Sequence, residues 1–341
     1  MATTFKTFLN NDITTTKTLL HEAIPITGAI VSGTYGFEKG TETNIKNYSH
    51  GMFQSVFDYP YLSSSANHIF DISVGYSTGS SLSGNVGQAS AATNYAQQEK
   101  KIAMYNQMAQ VLMGHDIDGN IQRFDRDGEL SGDQDSKMDE VIFLNFSRLL
   151  VKDEIKKGSF QIKFGTEQGL ASGDLQKATG IAHLLTIKDT NAQNDYRINS
   201  PAGEYGILSA SHLAKAGNQA IGASNAISGK ANDAAVGLIF YQAGVCVLTA
   251  SIFQGQGPGA AATGAGKGDV RRGVLNQSVS MSIGGQHGTN NTADGVKGQT
   301  DANINQMLTG SKIQNIANNV RRRIYDVSFN NTTELNSTVY F

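Results

Sequence analysis

Apolar residues recur at helical spacing most clearly in QQEKKIAMYNQMAQVLMG, residues 97–114. Ile102, Tyr105, Met108, Ala109 and Leu112 share one face there, while Lys100, Gln107 and Gln110 fall largely opposite. Gly114 follows where a helix-capping glycine belongs. The spacing predicts a helix over about 95–113. SKMDEVIFLNFSRLLVKDEIKKG predicts a second, over about 137–157. Ser136 can cap it, Asp139 and Glu140 fall in its first turn, and Lys156, Lys157 and Gly158 close it. Upstream, residues 1–45 alternate short apolar runs with Thr and Gly and read as an extended arm or early strands. GMFQSVFDYPYL and ANHIFDISVGY are rich in aromatics and read as partly helical, and Ser77 to Asn94 reads as a Ser/Gly-rich loop.

From Ser159 the period changes to two. SFQIKFG, HLLTIKD, DYRIN and YGIL read as strands, and VGLIFYQAG with VCVLTASIF reads as a buried hairpin. SKIQNIANNVRRR places Ile313, Ile316, Ala317 and Val320 on one helical stripe, and IYDVSFNNTTELNSTVYF reads as a terminal β-hairpin. The expected fold class is α+β. A helical N-terminal half precedes a mainly antiparallel β-sheet region, with a C-terminal helix and hairpin. The expected segments are the arm (1–45), a helix-rich domain with an Asp-rich loop (46–158) and a β-rich domain (159–341). The last carries a Gly-rich loop, 255–298, and the helix-hairpin.

Composition narrows the function. Charged residues are 16% of the chain, well below the usual share of about a quarter. Solubility therefore rests on amides and hydroxyls, which suits a chain packed against neighbours, where desolvated ions are costly. A net charge of −2 supplies no field for holding nucleic acid. MATTFKTFLNNDITTTKTLL lacks a charged segment followed by an unbroken apolar core, so no secretory signal is expected. No stretch approaches the apolar length of a membrane helix. The single cysteine, Cys246, lies in an apolar run and reads as a small buried hydrophobe.

The stretch GHDIDGNIQRFDRDGELSGDQD, Gly114 to Asp135, raises the question of calcium. An EF-hand loop needs oxygen ligands at its first, third and fifth positions and a glycine at the sixth. Aligning Gly128 as that glycine puts Arg123 first, and aligning Gly119 puts Gly114 first, so neither register has a first ligand. Asp and Gly are equally what tight turns require. The segment is expected to be a solvated double turn, with a cation site as the alternative. GQGPGAAATGAGKGDVRRG suggests a phosphate loop, but Ala261 stands where glycine is required and Gly268 where a hydroxyl should follow Lys267. The histidines (21, 50, 68, 115, 183, 212, 287) show no paired metal or catalytic spacing, and His68 and His183 read as core residues. Arg321, Arg322 and Arg323 read as a solvated helix cap or a subunit salt bridge. No catalytic, cofactor-binding or metal-binding residue is assigned, and no enzyme activity is expected.

Six stretches carry a resemblance: TFKTFLNNDITTTKTLLHEAIPITGAIVSGTYG, HGMFQSVFDYPYLSSSANHIFDISVGYS, KKIAMYNQMAQVLMGHD, LNFSRLLVKDEIKKGSF, GLIFYQAGVCVLTASIF and FNNTTELNSTVYF. Together they resemble virion structural proteins of T-even-like contractile-tailed phages that infect marine bacteria, cyanobacteria among them. The resemblance covers most of the chain, leaving out the Ser/Gly loop and Gly255 to Gly298. It implies a structural subunit of the virion, made in the host cytoplasm, with the tail baseplate as the inferred position. The implied partners are other tail or baseplate proteins and copies of the chain itself, with no cofactor, nucleic acid or membrane insertion. The alternative is a receptor-binding or tail-fibre attachment module, cation-dependent if the Asp-rich loop holds an ion. In the family the last strand runs on into an Asn- and Tyr-rich segment, so this chain is expected to continue past Phe341.

Overall fold

The computed structural model describes residues 7–9, 12–25, 43–80, 95–128, 137–166, 183–214, 217–219, 234–253, 312–321 and 324–340. It also describes Leu308 and the dipeptides 291–292 and 295–296. The N-terminal strands are β1 (Ile13–Pro25), β2 (Ile45–Asn47), β3 (Gln54–Phe57) and β4 (His68–Tyr76). Helix α1 (Tyr95–Leu112) follows, then β5 (Glu140–Phe146), the single turn α2 (Arg148–Val151), β6 (Glu154–Ile155) and β7 (Gln161–Thr166). Next come β8 (His183–Lys188), β9 (Tyr196–Arg197), β10 (Tyr205–Ala214), β11 (Gly217–Gln219), β12 (Ala234–Phe240) and β13 (Val245–Thr249). The dipeptides β14 (Asn291–Thr292) and β15 (Gly295–Val296) pair with each other, and α3 (Ile313–Arg321) and β16 (Ile324–Tyr340) complete the described elements.

Apart from β14 and β15, the strands form one 14-stranded sheet, in the order β1-β16-β7-β8-β10-β12-β13-β5-β4-β3-β2. Strand β6 pairs with β16, and β9 and β11 pair with β10. Every pairing between these strands is antiparallel. This overturns the expected α+β class with its helical N-terminal half. The protein is mostly antiparallel sheet, and α1, α2 and α3 are its α-helices among the described residues.

The reason lies in how the sheet is covered. Along β5, Val141 and Phe143 enter one core with Tyr105, Ala109 and Leu112 of α1. The alternate residues Ile142, Leu144 and Phe146 enter a second core with Ile313, Ile316, Ala317 and Val320 of α3. A strand buried on both faces presents a continuous apolar run without the period-two signal of a half-exposed one. EVIFLNF is such a run, which is why the helix expected over 137–157 reduces to the turn α2. The helix-capping roles fail with it. Asp139 accepts from Ser77 Oγ (2.5 Å) and pairs with Arg123 (3.0 Å), while Ser80 Oγ donates to Glu140 (2.5 Å). The segments expected to be partly helical hold strands β3 and β4, which pair with each other.

The expected buried hairpin is present, with Gly237 opposite Leu248 and Phe240 opposite Val245. The expected terminal hairpin is not. Asn330 and Asn331 stay within the single strand β16, and their polar groups find partners beside it. The Asn330 N–H donates to Ser159 Oγ (3.0 Å), and Asn331 Nδ2 donates to the Leu150 carbonyl (2.9 Å). The Ser/Gly loop from residue 81 to 94, the Gly-rich tract apart from the two dipeptides, and Arg322 and Arg323 lie outside the described residues.

Candidate assembly interface

Strands β1 and β16 pair along thirteen positions, from Ile13 opposite Tyr340 to Pro25 opposite Ser328. The first part of β16 belongs to the sheet body, with Val327 opposite Ile162 of β7 and Asn331 opposite Ile155 of β6. From Glu334 onward β1 is its strand partner among the described residues. Ile13–Leu19 and Glu334–Tyr340 are exposed throughout, so they form a two-stranded ribbon that leaves the body. An isolated two-stranded ribbon is marginally stable in water.

Register sorts the ribbon into two faces, since opposed residues in an antiparallel pair point the same way. One face carries Thr15 with Thr338, Lys17 with Asn336 and Leu19 with Glu334. Its charges neutralise each other: Lys17 sits 2.6 Å from Glu334, which also accepts from Asn336 (2.8 Å) and is held below the usual carboxylate range by these partners. The other face carries Thr14 with Val339, Thr16 with Ser337, Thr18 with Leu335 and Leu20 with Thr333. From Thr14 to Leu20 that face has no charge, and Leu20 and Leu335 are each 50% exposed on it. It runs inward past Glu22 opposite Asn331 to Ile24 opposite Phe329, both of which pack against the core.

The root is tied down and the tip is not. Lys152 pairs with Glu22 (2.7 Å), His21 bonds Thr332 (3.2 Å), and the Glu334 N–H donates to Asp153 (2.8 Å). At the tip, Phe8 packs on Tyr340 with ring centroids 5.5 Å apart, and both stay more than half exposed. Leu9 beside them is 70% exposed. Outward of Glu22 that face mixes hydroxyls with the exposed aliphatic side chains of Leu20, Leu335 and Val339.

The Asp-rich segment serves structure in the part described, 114–128. Asp116 accepts the N–H groups of Asp118 (3.0 Å) and Asn120 (2.8 Å), a side-chain-closed turn that lowers its own pKa. Asp125 is fully buried and paired with Lys137 at 2.5 Å, so it faces its own lysine and not solvent. Among the described residues, no group of three or more His, Cys, Asp or Glu side chains could hold a metal ion. Cys246 is buried, and burial pushes its thiol well above the usual range. His68 bonds Asp71 (2.8 Å) and remains partly exposed, contrary to the core reading; the His183 side chain lies outside the description.

Three buried polar groups were not foreseen. Arg321, expected as a solvated cap or subunit salt bridge, is fully buried and donates from Nε to Gln54 Oε1 (3.1 Å). Lys101 is fully buried and donates to the Leu308 carbonyl, and burial pulls its pKa down to about 7. Asp189 lies in the turn after β8 and accepts from the Gly158 N–H (2.7 Å), the Phe160 N–H (3.0 Å) and the Tyr241 hydroxyl (3.1 Å). Burial outweighs these donors and raises its pKa to about 6. A cleft of about 380 Å³ opens nearby, lined by Lys188, Thr190, Asn191, Asp195, Ile207 and Ser209. Asp195 is already paired with Arg197, and no histidine or cysteine lines the cleft.

Comparison with protein-family models, with curated proteins and with solved structures finds no match to this chain.

Proposed function

We propose that the chain is a structural subunit of a bacteriophage virion, a component of the tail baseplate that works through contacts with other tail proteins and with copies of itself. The observation that carries this reading is the β1/β16 ribbon. Its root is fastened by Lys152–Glu22 and by Asn331, while its distal half exposes Leu20, Leu335 and Val339 on an uncharged face. Ordering each residue of such an arm costs roughly 1–2 kcal/mol of backbone entropy, and two strands bury too little to offset it alone. A neighbouring subunit supplies the missing burial. The resemblance to virion structural proteins of contractile-tailed phages gives the assembly its setting, and the low charge content suits a surface that is desolvated on assembly.

The test is immunogold electron microscopy, with antibodies raised against the purified chain, on contractile-tailed virions from a phage that encodes it. Label at the tail baseplate is the expected result. Label confined to the capsid, or a chain present in lysates and absent from purified virions, contradicts the proposal.

A further inference from the structure

The geometry points to the outer edge of β1 as a site where a second copy of this chain adds its own β1, joining two sheets into one across a two-fold axis. This rests on the assembly reading above and names the partner. The two ends of the sheet differ. At one end β2 is three residues long, a form that blunts edge-to-edge pairing. At the other, β1 runs for thirteen residues, exposed from Ile13 to Ala23, and no described strand pairs with its outer side. A long, exposed edge whose charges, Lys17 and Glu22, are already paired with Glu334 and Lys152, and whose proline, Pro25, stands at its inner end, is a template for strand addition.

The sequence of β1 suits pairing with itself. A two-fold axis perpendicular to the ribbon at Leu20 sets Leu20 against its own copy and keeps each side chain on its face of the joined sheet. Thr18 then faces Glu22, Thr16 faces Ile24, Leu19 faces His21 and Lys17 faces Ala23. No charged residue stands opposite another of like sign. The face bearing Leu20 in one ribbon continues into that of the other, so Leu20 and Leu335 of both copies gather on one face, with Glu22 of each copy beside Thr18 of the other.

The experiment is sedimentation velocity on the full chain across a concentration series, with three variants. The native sequence is expected to dimerise. Leu20→Lys and Leu20→Glu, each at a half-exposed position opposite Thr333, should dimerise at least about tenfold more weakly, since like charges meet at the axis. Mixing them in equal amounts should restore the dimer, which also shows that both variants fold. Leu20→Cys should form a disulfide-linked dimer on mild oxidation, because opposed residues in an antiparallel pair lie within disulfide reach and Cys246 is buried. A native chain that stays monomeric throughout, charge variants that dimerise unimpaired, or a mixture that fails to recover would each overturn the inference. Monomers that nonetheless label the baseplate would overturn copy-to-copy pairing and leave the assembly reading standing. A robust dimer that never enters virions would do the reverse.

Discussion

Gly75→Ala is expected to unfold at a markedly lower urea concentration than the native sequence, with an unchanged denaturant slope and a loss of about 3 kcal/mol. Gly75 lies in β4 beneath α1, and a β-carbon there would stand 2.8 Å from the Tyr105 amide nitrogen and 2.9 Å from the Lys101 carbonyl. Both are backbone atoms, so no side chain can swing aside. Helix α1 would have to lift, and Tyr105, Ala109 and Leu112 would withdraw from the core they share with Phe124 and Phe143. Overpacking against soft side chains costs roughly 1–3 kcal/mol, and displacement of a helix belongs at the upper end. A variant as stable as the native sequence would mean that α1 does not sit this close to the sheet.

Asp189→Ala is the second large effect, and its size depends on pH. The substitution removes the acceptor shared by two backbone amides, Gly158 and Phe160, and by the Tyr241 hydroxyl. Gly206 matters here, because a side chain at that position would collide with the Tyr241 hydroxyl. Unsatisfied buried donors cost roughly 1–3 kcal/mol each, but removing a buried carboxylate also relieves its desolvation. The native group titrates near 6 when folded and near 3.8 when unfolded. Between those values the folded state holds a proton that the unfolded state has released. The native protein therefore loses stability from this group as pH rises through that window, and the full loss is present above about 6. The deficit of Asp189→Ala should be about 2 kcal/mol at pH 7 and greater by about 2 kcal/mol near pH 4. Urea titrations of both proteins at the two pH values measure this. A deficit that is the same at both, or greater at pH 7, would refute the account of Asp189.

What could be read from the sequence was local. Helix α1 announced itself through Tyr105, Ala109 and Leu112, and α3 through Ile313, Ile316 and Val320, because each keeps a polar side. The β12–β13 hairpin was legible from two short apolar runs around a turn. EVIFLNF was not, since covering both faces of β5 erases the alternation that marks a strand. The candidate interface depended on distance along the chain. Residues 324–340 read as strand, but as a hairpin closed on itself, whereas their partner is Ile13–Pro25, some three hundred residues away. Asp189 ends the strand-like segment HLLTIKD and looks like any turn aspartate; only the fold brings Gly158, Phe160 and Tyr241 around it. Arg321 read by its charge as a solvated cap or a subunit salt bridge and nothing in the local pattern singled out Lys101, yet their long stems carry them inward to Gln54 and the Leu308 carbonyl.

Amide hydrogen exchange, followed by mass spectrometry on the dilute free chain and on purified tails, tests the assembly claim most directly. In the free chain, Ile13–Leu19 and Glu334–Tyr340 should exchange quickly, while the β12–β13 hairpin in the core stays protected. In the tail the same two segments should slow by about a hundredfold or more, with the hairpin unchanged. A ribbon as protected as the hairpin in the free monomer, or one that still exchanges freely in the tail, would contradict the account.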